Sequence, residues 1–358
     1  MKISKIPGLG RFGIYIDDVD FENISDEEWM EIGKLHLDSL VTILRDVKLP
    51  VNEYERRMKQ WGSPRSLSVM NLFKKYNLTP LTIQHILSDD IINGVPVDDI
   101  DRKFLKNVLN VIAYEITNNP HTTVVKVTGK HRPDGSPEGL FAEGELLWHS
   151  NESGNLEFSP AVSLLGVEGV VGSATGFLTT ADWYEKQSES FRSELDEMIL
   201  QHQFTPGKIN PGLREDQDHI INRNMCPAPI ELPLVIKSPG GIKGLHYSVN
   251  TINSIKGMSQ EDSQKMFDYI NKTLFVDEYT YDHWYKNDND LCLFDNSITL
   301  HRRLGGITNR MCYRIQYVYD QLAPGWNPWL SDPYASNYDK IVKEIEAFAS
   351  KNLTVNGY

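Results

Sequence analysis

From about residue 121 onward, the sequence is a succession of short runs rich in β-branched and aromatic residues, separated by turn-forming stretches. The runs are TTVVKVTG, SPAVSLLGV, ELPLVIKS, GLHYSVNTI, DLCLFDNSI and YRIQYVY, and the turns include RPDGSPEG, KSPGG and YKNDND. Many short strands with turns between them are typical of a barrel or sandwich, whereas regular alternation of strands and helices would indicate a parallel sheet. This region is therefore predicted to form a β-barrel core.

Helical patterns precede and interrupt the β-rich region. Residues 24–43 have an apolar face, Ser25 as a candidate N-cap and acidic residues in the first turn, and a short β-like segment, VTILRDV, follows. Residues 101–118 indicate another helix or an apolar mixed segment, and helical insertions are predicted within 180–202 and 259–273. The fold class predicted from these patterns is mainly β with α insertions.

The chain is predicted to form a single domain, because no internal repeat and no Pro/Gly/Ser linker divides its 358 residues. We expect an N-terminal helix and strand extension over 1–120, a β core with insertions over 121–320 and a C-terminal extension over 321–358. Turn-rich segments around the mouth of a barrel commonly close over ligands. Residues 50–100 and 203–230 are therefore candidate lids.

The charge balance and the cysteines exclude several classes of protein. The net charge is −13, from 49 acidic and 36 basic residues, which disfavours binding to nucleic acid. No apolar run approaches the ~18–20 residues that cross a bilayer, and the N-terminus has no apolar signal core. Three cysteines without CxxC spacing argue against a disulfide framework and a zinc ribbon. We expect a cytoplasmic protein that binds neither nucleic acid nor membrane, with homo-oligomerisation left open.

Two of the ten histidines stand at positions typical of a functional site. In LLWHSNE, an apolar strand delivers His149, and Asn151 follows two residues later, so that both would share one face of an extended strand. In DLCLFDNSITLHRR, a predicted strand is followed by a turn at Asp295-Asn296, and His301 lies in the second strand that follows this turn. These two histidines are the candidate metal ligands.

A pair of arginines follows the second histidine. Arg310 and Arg314 lie in NRMCYRIQYVY, and their i, i+4 spacing places both on one face of a predicted strand. A guanidinium pairs with a carboxylate through a bidentate fork. Two histidines and an acid on one face, with open positions, are the site of non-heme Fe(II) oxygenases. A 2-oxo acid chelates such an iron, and its distal carboxylate requires an arginine and a hydroxyl group.

Together these segments resemble the TauD/TfdA-type Fe(II)/2-oxoglutarate-dependent dioxygenases, over most of the chain. The stretch GIYIDDVDFENISDEEWMEIGKLHLDSLVTILRDVKL is similar to the opening strand, helix and strand of that family, and WHSN lies where the family has W-H-x-D. GSAT resembles the stretch whose threonine contacts 2-oxoglutarate. The segments PLVIKSP, GLHYSVNTINSIKGMSQEDS, DLCLFDNSITLHRR and RMCYR then follow in the order of the family.

The resemblance implies a double-stranded β-helix, also called a jelly-roll or cupin-like core, and a set of site residues. His149 and His301 would bind iron, and Thr175 and Arg310 would bind the distal carboxylate of 2-oxoglutarate. Arg314 would approach an acidic group of the substrate or co-substrate. The implied cofactors are Fe(II), 2-oxoglutarate and O2, and the implied reaction is C–H hydroxylation of a small molecule.

The sequence departs from the family at the third metal ligand, where Asn151 replaces the usual Asp. Three alternatives stay open. A bulge or turn could rotate Glu152 into the site, Asn151 could coordinate through its amide oxygen or direct a water, or an exogenous anion could take the vacancy, as in halogenase relatives that carry Gly or Ala. The alternatives to a hydroxylase are thus a halogenase or other altered outcome, and a non-catalytic module that binds metal and 2-oxoglutarate.

Four further residues are candidates for the surroundings of the site. Trp148 is predicted to be core or pocket wall, and Asn296 could orient His301 through its polar side chain. His246 and Tyr247 fall on a predicted strand and could line the substrate pocket.

Overall fold

The computed structural model describes residues 1–64, 75–78, 82, 85–99, 101–102, 105, 123–135, 138, 144–153, 158–202, 230–304 and 309–328. The predicted helix at 101–118, the candidate lid at 203–230 and the C-terminal extension at 321–358 lie largely outside the described residues. Of the three cysteines, Cys292 and Cys312 are buried free thiols, and Cys226 is outside this part of the chain.

The described helices are α1 (Asp26–Ser39), α2 (Val51–Trp61), α3 (His85–Ser88), α4 (Ala181–Glu185), α5 (Glu189–Glu197) and α6 (Gln260–Leu274). The described strands are β1 (Lys2–Lys5), β2 (Ile14–Asp17), β3 (Val41–Leu44), β4 (Ile91–Ile92), β5 (Val95–Pro96), β6 (Val125–Thr128), β7 (Leu146–His149), β8 (Ala161–Glu168), β9 (Ala174–Thr179), β10 (Ile199–His202), β11 (Ile230–Pro233), β12 (Val235–Lys237), β13 (Lys243–Leu245), β14 (Ile252–Ile255), β15 (Thr280–Trp284), β16 (Leu291–Asp295), β17 (Thr299–Arg303) and β18 (Met311–Tyr317). Among these helices, none has the length and apolar character that a membrane-spanning segment needs.

Two sheets carry most of the strands. The larger has seven strands in the order β1-β2-β3-β16-β8-β18-β6, and the smaller has four in the order β15-β9-β17-β7. All neighbours in both sheets are antiparallel except β2 and β3, which are parallel and joined by α1. Short sheets of β11-β10-β14, β12-β13 and β4-β5 complete the pairing. The predicted class, mainly β with helical insertions, is confirmed.

The inner faces of the two large sheets meet in a common core. Phe177 of β9 and Phe294 of β16 lie with ring centroids 5.3 Å apart, and the Phe294 ring is 4.7 Å from that of His301 on β17. Apolar contacts of this kind are non-directional and stabilise the packing in proportion to the area buried. The second candidate histidine therefore lies against the core shared by the two sheets.

Helices cover the outer faces. Trp29 of α1 stacks on Trp61 of α2 at 4.5 Å, and both rings belong to the cluster over the seven-stranded sheet. Helices α4, α5 and α6 cover the four-stranded sheet, where Leu178 and Leu300 point outward into the cluster of apolar side chains. Residues 176, 178, 300 and 302 thus face the helices, while residues 175, 177, 301 and 303 face the inner core.

Local sequence signals set the ends of the helices as predicted. Ser25 caps α1 in a reciprocal capping box with Glu28, and Ser259 caps α6. Helix α1 ends before Leu40, whose φ of +61° breaks the helical conformation and leads directly into β3. The prediction of a helix followed by a short strand is confirmed here.

The turn after β16 crosses from one large sheet to the other, because β16 and β17 belong to different sheets. The buried carboxylate of Asp295 organises this turn by accepting hydrogen bonds from Ser297 N at 2.9 Å, Ser297 Oγ at 2.7 Å and Ile298 N at 2.9 Å. Burial raises the pKa of Asp295 to about 6, and these hydrogen bonds oppose that rise. The turn fixes where β17, and with it His301, begins.

One predicted strand is interrupted. The run GLHYSVNTI was expected to be continuous, but β13 ends at Leu245 and β14 begins at Ile252. The backbone N of His246 still donates to Leu234 O at 2.7 Å, its Nδ1 donates to Ser297 O at 2.9 Å, and the chain then turns so that Thr251 N donates to Ser248 O at 2.9 Å. The prediction that His246 and its neighbour lie on a strand was wrong, and both belong to a buried loop.

Candidate metal centre

His149 and His301 face each other across two neighbouring strands. They are Cα partners in the antiparallel register of β7 and β17, and their ring centroids are 4.1 Å apart. Opposite residues of an antiparallel pair project on the same side of the sheet, so this register brings the two imidazoles together. The structure therefore brings together the two histidines that the sequence singles out.

The ring of His149 is oriented by its own strand. Its Nδ1 lies 2.6 Å from Leu147 O, a distance at which Nδ1 carries the proton and Nε2 keeps a free electron pair. Burial, together with the charges of Arg314 and Arg303, lowers the pKa of His149 to about 4, and the hydrogen bond to Leu147 O opposes that change. A neutral imidazole with one oriented nitrogen is the form that binds a metal ion.

His301 is neutral for similar reasons. Burial lowers the pKa of His301 well below its ordinary value, and the charges of His149 and Arg314 add to that effect. Its Nδ1 is buried and has no hydrogen-bond partner among the described residues. A buried polar atom without a partner normally costs about 1–3 kcal/mol. Such an atom on a paired histidine is consistent with a site that a ligand completes.

The carboxylate of Glu152 is bound by the segment that follows β7. Strand β7 ends at His149, so the expected strand face shared with Asn151 does not exist, and Glu152 takes a left-handed φ of +57° in the turn that follows. Its carboxylate accepts hydrogen bonds from Ser159 N at 3.0 Å and Ser159 Oγ at 2.8 Å. The side chain of Glu152 thus contacts Ser159, and its role as a metal ligand stays a prediction.

Asn151 is held by two other amides. Its backbone N donates to Asn296 Oδ1 at 2.8 Å, and its carbonyl accepts from Asn296 Nδ2 at 2.8 Å. Its side-chain Nδ2 lies 3.5 Å from Gln316 Oε1 on β18. Asn296 is itself fully buried, and its Nδ2 also donates to Ser159 O at 2.7 Å.

The donor set fits a metal ion held by two imidazoles. Within the described part of the chain, no three His, Cys, Asp or Glu residues lie close enough together to hold a metal. Two neutral nitrogens on adjacent strands suit Fe(II), which accepts imidazole ligands and requires open positions for oxygen chemistry. The usual carboxylate is not part of this donor set among the described residues, and the identity of the third ligand stays a prediction.

Thr175 and Arg310 lie buried near the same inner face. The Thr175 hydroxyl on β9 is 3.1 Å from Tyr285 Oη. Arg310 immediately precedes β18, and its carbonyl accepts from Thr128 Oγ1 at 2.8 Å. Its Nη1 is buried and finds no hydrogen-bond partner in the described residues. A buried guanidinium nitrogen without an acceptor favours an anionic ligand, because an isolated charge is costly to desolvate.

The charge of Arg314 acts on both imidazoles of the centre and lowers their pKa values. Its Nε is also buried with no hydrogen-bond partner among described residues. Burial lowers the pKa of Arg314, and the charge of Glu152 opposes that change. A β-bulge between Met311 and Cys312 shifts the register of β18 between the two arginines.

Two predicted pocket residues lie on the helix-covered side of the four-stranded sheet. Trp148 points outward, where the Arg302 guanidinium stacks over its ring at 4.5 Å and Phe275 packs at 6.2 Å. Tyr247 donates from its hydroxyl to Asn271 Oδ1 of α6 at 2.8 Å. Neither side chain lies with the two histidines on the inner face.

His246 lies in a second group of buried rings. Its ring centroid is 4.9 Å from Phe158 and 5.9 Å from His202. Burial lowers the pKa of His246 to about 4. These contacts make it part of the core behind the turn that carries Asn296.

Arg303 and Tyr285 were not identified from the sequence. Arg303 follows His301 by two residues and is the Cα partner of Thr175 across β17 and β9. Burial lowers the pKa of Arg303 to about 10, and the charge of Arg310 contributes. Because residues i and i+2 of a strand share a face, the sequence could have indicated that Arg303 lies on the same face as His301. Tyr285 can be identified only from its contact with Thr175 in the structure.

Comparisons with known proteins agree with this architecture. No curated protein sequence matches the chain. A taurine dioxygenase from Burkholderia xenovorans superposes with a TM-score of 0.56 at 19% identity, covering 88% of this chain and 89% of that one. AAD-2, solved in complex with Mn(II) and N-oxalylglycine, gives a TM-score of 0.58 at 15% identity, covering 88% and 97%. At these identities the two structures establish similarity of fold.

The family itself is identified by sequence. The family model described as taurine catabolism dioxygenase TauD, TfdA family, matches residues 91–316, which include both histidines of the centre and both arginines that follow. This match spans more than half of the 358 residues. The chain therefore belongs to the TauD/TfdA family of dioxygenases.

Proposed function

We propose that this protein is an Fe(II)/2-oxoglutarate-dependent oxygenase that couples decarboxylation of 2-oxoglutarate to hydroxylation of a C–H bond in a small molecule. The observation that carries the proposal is the facing pair His149 and His301, with rings 4.1 Å apart beside buried arginines. Membership of the TauD/TfdA family supports it. The cofactors of this proposal are Fe(II), 2-oxoglutarate and O2.

His149 and His301 would hold the iron through their ring nitrogens. When bound together with 2-oxoglutarate and O2, iron supplies the oxidising chemistry that an aliphatic C–H bond requires. The contribution of the protein is to keep both imidazoles neutral and in place. The hydrogen bond from His149 Nδ1 to Leu147 O does this for the first ring, and packing against Phe294 does it for the second.

Thr175 and Arg310 would bind the distal carboxylate of 2-oxoglutarate. The Thr175 hydroxyl can donate to one carboxylate oxygen while it accepts from Tyr285, and the unpartnered Nη1 of Arg310 can donate to the carboxylate. Burial strengthens both interactions, since charge-assisted hydrogen bonds gain strength where water is excluded. The geometry of the arginines thus supports a dicarboxylic 2-oxo acid as co-substrate.

Arg314 would contact an acidic group of the substrate or co-substrate. Its charge acts on both histidines, and its Nε has no acceptor in the described part of the chain. A small molecule with a carboxylate or a similar anion would satisfy this nitrogen next to the reacting centre. We therefore propose an acidic small molecule as the substrate class.

The third metal position in this proposal belongs to the amide oxygen of Asn151, to a water, or to an exogenous anion. Glu152 is the weaker candidate because its carboxylate already accepts two hydrogen bonds from Ser159. An anion in this position makes halogenation the second candidate function. Two observations favour it, namely the neutral side chain of Asn151 and the cationic Arg314 close to the histidines.

The two facing sheets would form the double-stranded β-helix of the family, with α1, α2 and α4–α6 as decorations on its outer faces. We propose a cytoplasmic enzyme that binds neither nucleic acid nor membrane, in agreement with its net charge of −13. Assembly into homo-oligomers is compatible with the proposal.

Turnover of 2-oxoglutarate tests the proposal. Purified protein is supplied with Fe(II), 2-oxoglutarate, air and a panel of small carboxylic acids, and succinate is measured together with the mass of the organic product. We expect succinate release that the right substrate stimulates and that His149→Ala abolishes. A gain of one oxygen atom indicates hydroxylation, and incorporation of chloride or bromide indicates halogenation. A protein that binds metal and 2-oxoglutarate but never releases succinate would instead be a non-catalytic binding module.

A further inference from the structure

The buried side chain of Arg303 faces the same inner core as His301. The two residues are separated by one position on β17, and neighbouring Arg302 points to the opposite, helix-covered face. Arg303 is 8% exposed, and its Nε donates to Gly144 O at 3.1 Å. Buried arginines are uncommon unless a partner or ligand uses their charge. The family resemblance assigns no role to this position.

Arg303 lies beside the two groups assigned to the co-substrate. It is the direct Cα partner of Thr175 across β17 and β9, so both side chains project to the inner face at one level of the sheet. The charge of Arg310 also acts on Arg303. Strands β9 and β17 thus bring the side chains of Thr175 and Arg303 to one level of the inner face.

The unpartnered nitrogen in this region is Nη1 of Arg310, which is buried and has no acceptor among the described residues. Such a nitrogen favours an anionic ligand. Bringing guanidinium groups together in a low-dielectric interior is costly unless a ligand supplies the opposite charge.

We propose that Arg303 is a second guanidinium of the pocket for the distal carboxylate, and that it determines the preference for a dicarboxylic over a monocarboxylic 2-oxo acid. This inference rests on the proposed function, since it concerns the co-substrate of the same site. Arg303 and Arg310 approach the carboxylate from two elements, and the Thr175 hydroxyl completes its hydrogen bonding. The carboxylate in turn relieves the repulsion between the two guanidinium groups.

Binding to protein loaded with Mn(II) tests this inference without turnover. The affinity for 2-oxoglutarate is measured by calorimetry and compared with that for 2-oxopentanoate, in which a methyl group replaces the distal carboxylate. For Arg303→Ala we expect the Kd of 2-oxoglutarate to rise roughly 10- to 100-fold, as for loss of a charged hydrogen bond. The Kd of 2-oxopentanoate and that of Mn(II) should change less than about twofold, which a general structural role would not produce.

Two further variants separate charge from packing. Arg303→Lys keeps the charge but not the planar fork, so we expect an intermediate rise in the Kd of 2-oxoglutarate. Arg302→Ala is the matched control, because that neighbouring arginine pairs with Asp282 on the opposite face at 2.7 Å. It should leave the Kd of 2-oxoglutarate unchanged.

The outcomes distinguish this inference from the function on which it rests. If wild-type protein binds 2-oxoglutarate and Arg303→Ala binds it equally well, the inference is wrong while the proposed function stands. Parallel weakening of 2-oxoglutarate, 2-oxopentanoate and Mn(II) in Arg303→Ala would assign Arg303 a structural role through Gly144. If the wild type binds neither Mn(II) nor 2-oxoglutarate, the proposed function fails together with the inference. If Arg303→Ala does not fold, Arg303→Lys decides the question by the same comparison.

Discussion

Asn296 and Asn151 hold each other through two reciprocal hydrogen bonds, each 2.8 Å long, between the side-chain amide of the first and the backbone of the second. Asn151 stands two residues after His149, and Asn296 stands five residues before His301. The contact therefore joins the end of β7 to the turn that leads into β17. It fixes the two histidine-bearing segments relative to each other at a point where strand pairing no longer does so.

Replacing Asn296 by Ala should weaken both the fold and metal binding. The change leaves the backbone N and O of Asn151 and the carbonyl of Ser159 without their partner, so we expect a loss of roughly 2–4 kcal/mol in the free energy of unfolding. Metal affinity should fall about 10-fold or more, as for loss of an orienting group around metal ligands. Urea denaturation and titration with Mn(II) measure the two effects.

The control for this change is Asn253→Ala on β14, because the Asn253 side chain is exposed. It should alter the free energy of unfolding by less than about 0.5 kcal/mol. If Asn296→Ala were as stable as the control and bound Mn(II) as tightly, the hydrogen bonds between Asn296 and Asn151 would contribute neither to stability nor to metal binding.

A carboxylate at the third position should tighten metal binding. For Asn151→Asp we expect Fe(II) or Mn(II) affinity to rise at least about tenfold, since two opposite charges ~4 Å apart interact by several kcal/mol at an effective dielectric constant of 20. Desolvation of the new carboxylate offsets part of that gain. The measurement is anaerobic metal titration, in the presence and in the absence of chloride.

Glu152→Gln is the counterpart of that experiment. Since the Glu152 carboxylate accepts from Ser159 N and Oγ, its replacement by the isosteric amide should leave metal affinity within about threefold of the wild type. A collapse of metal binding in Glu152→Gln, with no gain in Asn151→Asp, would identify Glu152 as the ligand.

Acid should unfold the apoprotein steeply because five buried histidines are neutral in the folded state: His36, His149, His202, His246 and His301. Burial lowers the pKa of His36 to about 3 and that of His149 and His246 to about 4, and it lowers the other two well below 6.5. The unfolded chain takes up these protons as the pH falls below about 6.5, so stability that is present above that pH is lost towards pH 4.

One acidic residue acts in the opposite direction. Because burial raises the pKa of Asp295 to about 6, the folded state binds a proton there that the unfolded state does not bind until the pH approaches its ordinary value. The net difference near pH 5 is about four protons, which corresponds to a fall in the free energy of unfolding of about 5 kcal/mol per pH unit. Urea denaturation of metal-free protein at pH 7.5, 6.5, 5.5, 5.0 and 4.5 measures this slope.

His36→Gln tests the contribution of a single histidine to the pH dependence of the free energy of unfolding. His36 contacts Thr42 and Tyr319 far from the metal centre, so its loss should reduce the slope near pH 5 by about 1.4 kcal/mol per pH unit. The same substitution at the exposed His85 is the control and should leave the slope unchanged. A stability profile that is flat from pH 7.5 to 5.5 would contradict the assignment of neutral buried histidines.

The sequence predicts the elements of this fold better than it predicts the chain path between them. Period-two runs and capping residues identify the strands and helices, including α1 with Ser25 and α6 with Ser259. The sequence does not reveal the break after Leu245, where the side chain of His246 hydrogen-bonds to Ser297, 51 residues away. Local propensity carries no information on such a partner.

For the site, too, the sequence predicts the local elements but not the contacts between residues far apart in the chain. The facing positions of His149 and His301 follow from two strand ends and from family order, and the structure places the two rings together. The direction of Glu152 depends on one left-handed residue and on Ser159, which only the folded chain brings within reach. Arg303 was predictable from its spacing to His301, but only the pairing of β17 with β9 places it opposite Thr175.

The most direct test of the central claim is an anaerobic titration of the wild-type protein with Fe(II) and then 2-oxoglutarate, followed by visible absorption. A chelate of iron by a 2-oxo acid gives a charge-transfer band without any turnover or substrate. We predict that the band appears at one equivalent of each, and that it is lost in His149→Ala and in His301→Ala. Absence of the band in the wild type, with its appearance in Asn151→Asp, would show that the native pair of histidines does not assemble the proposed centre.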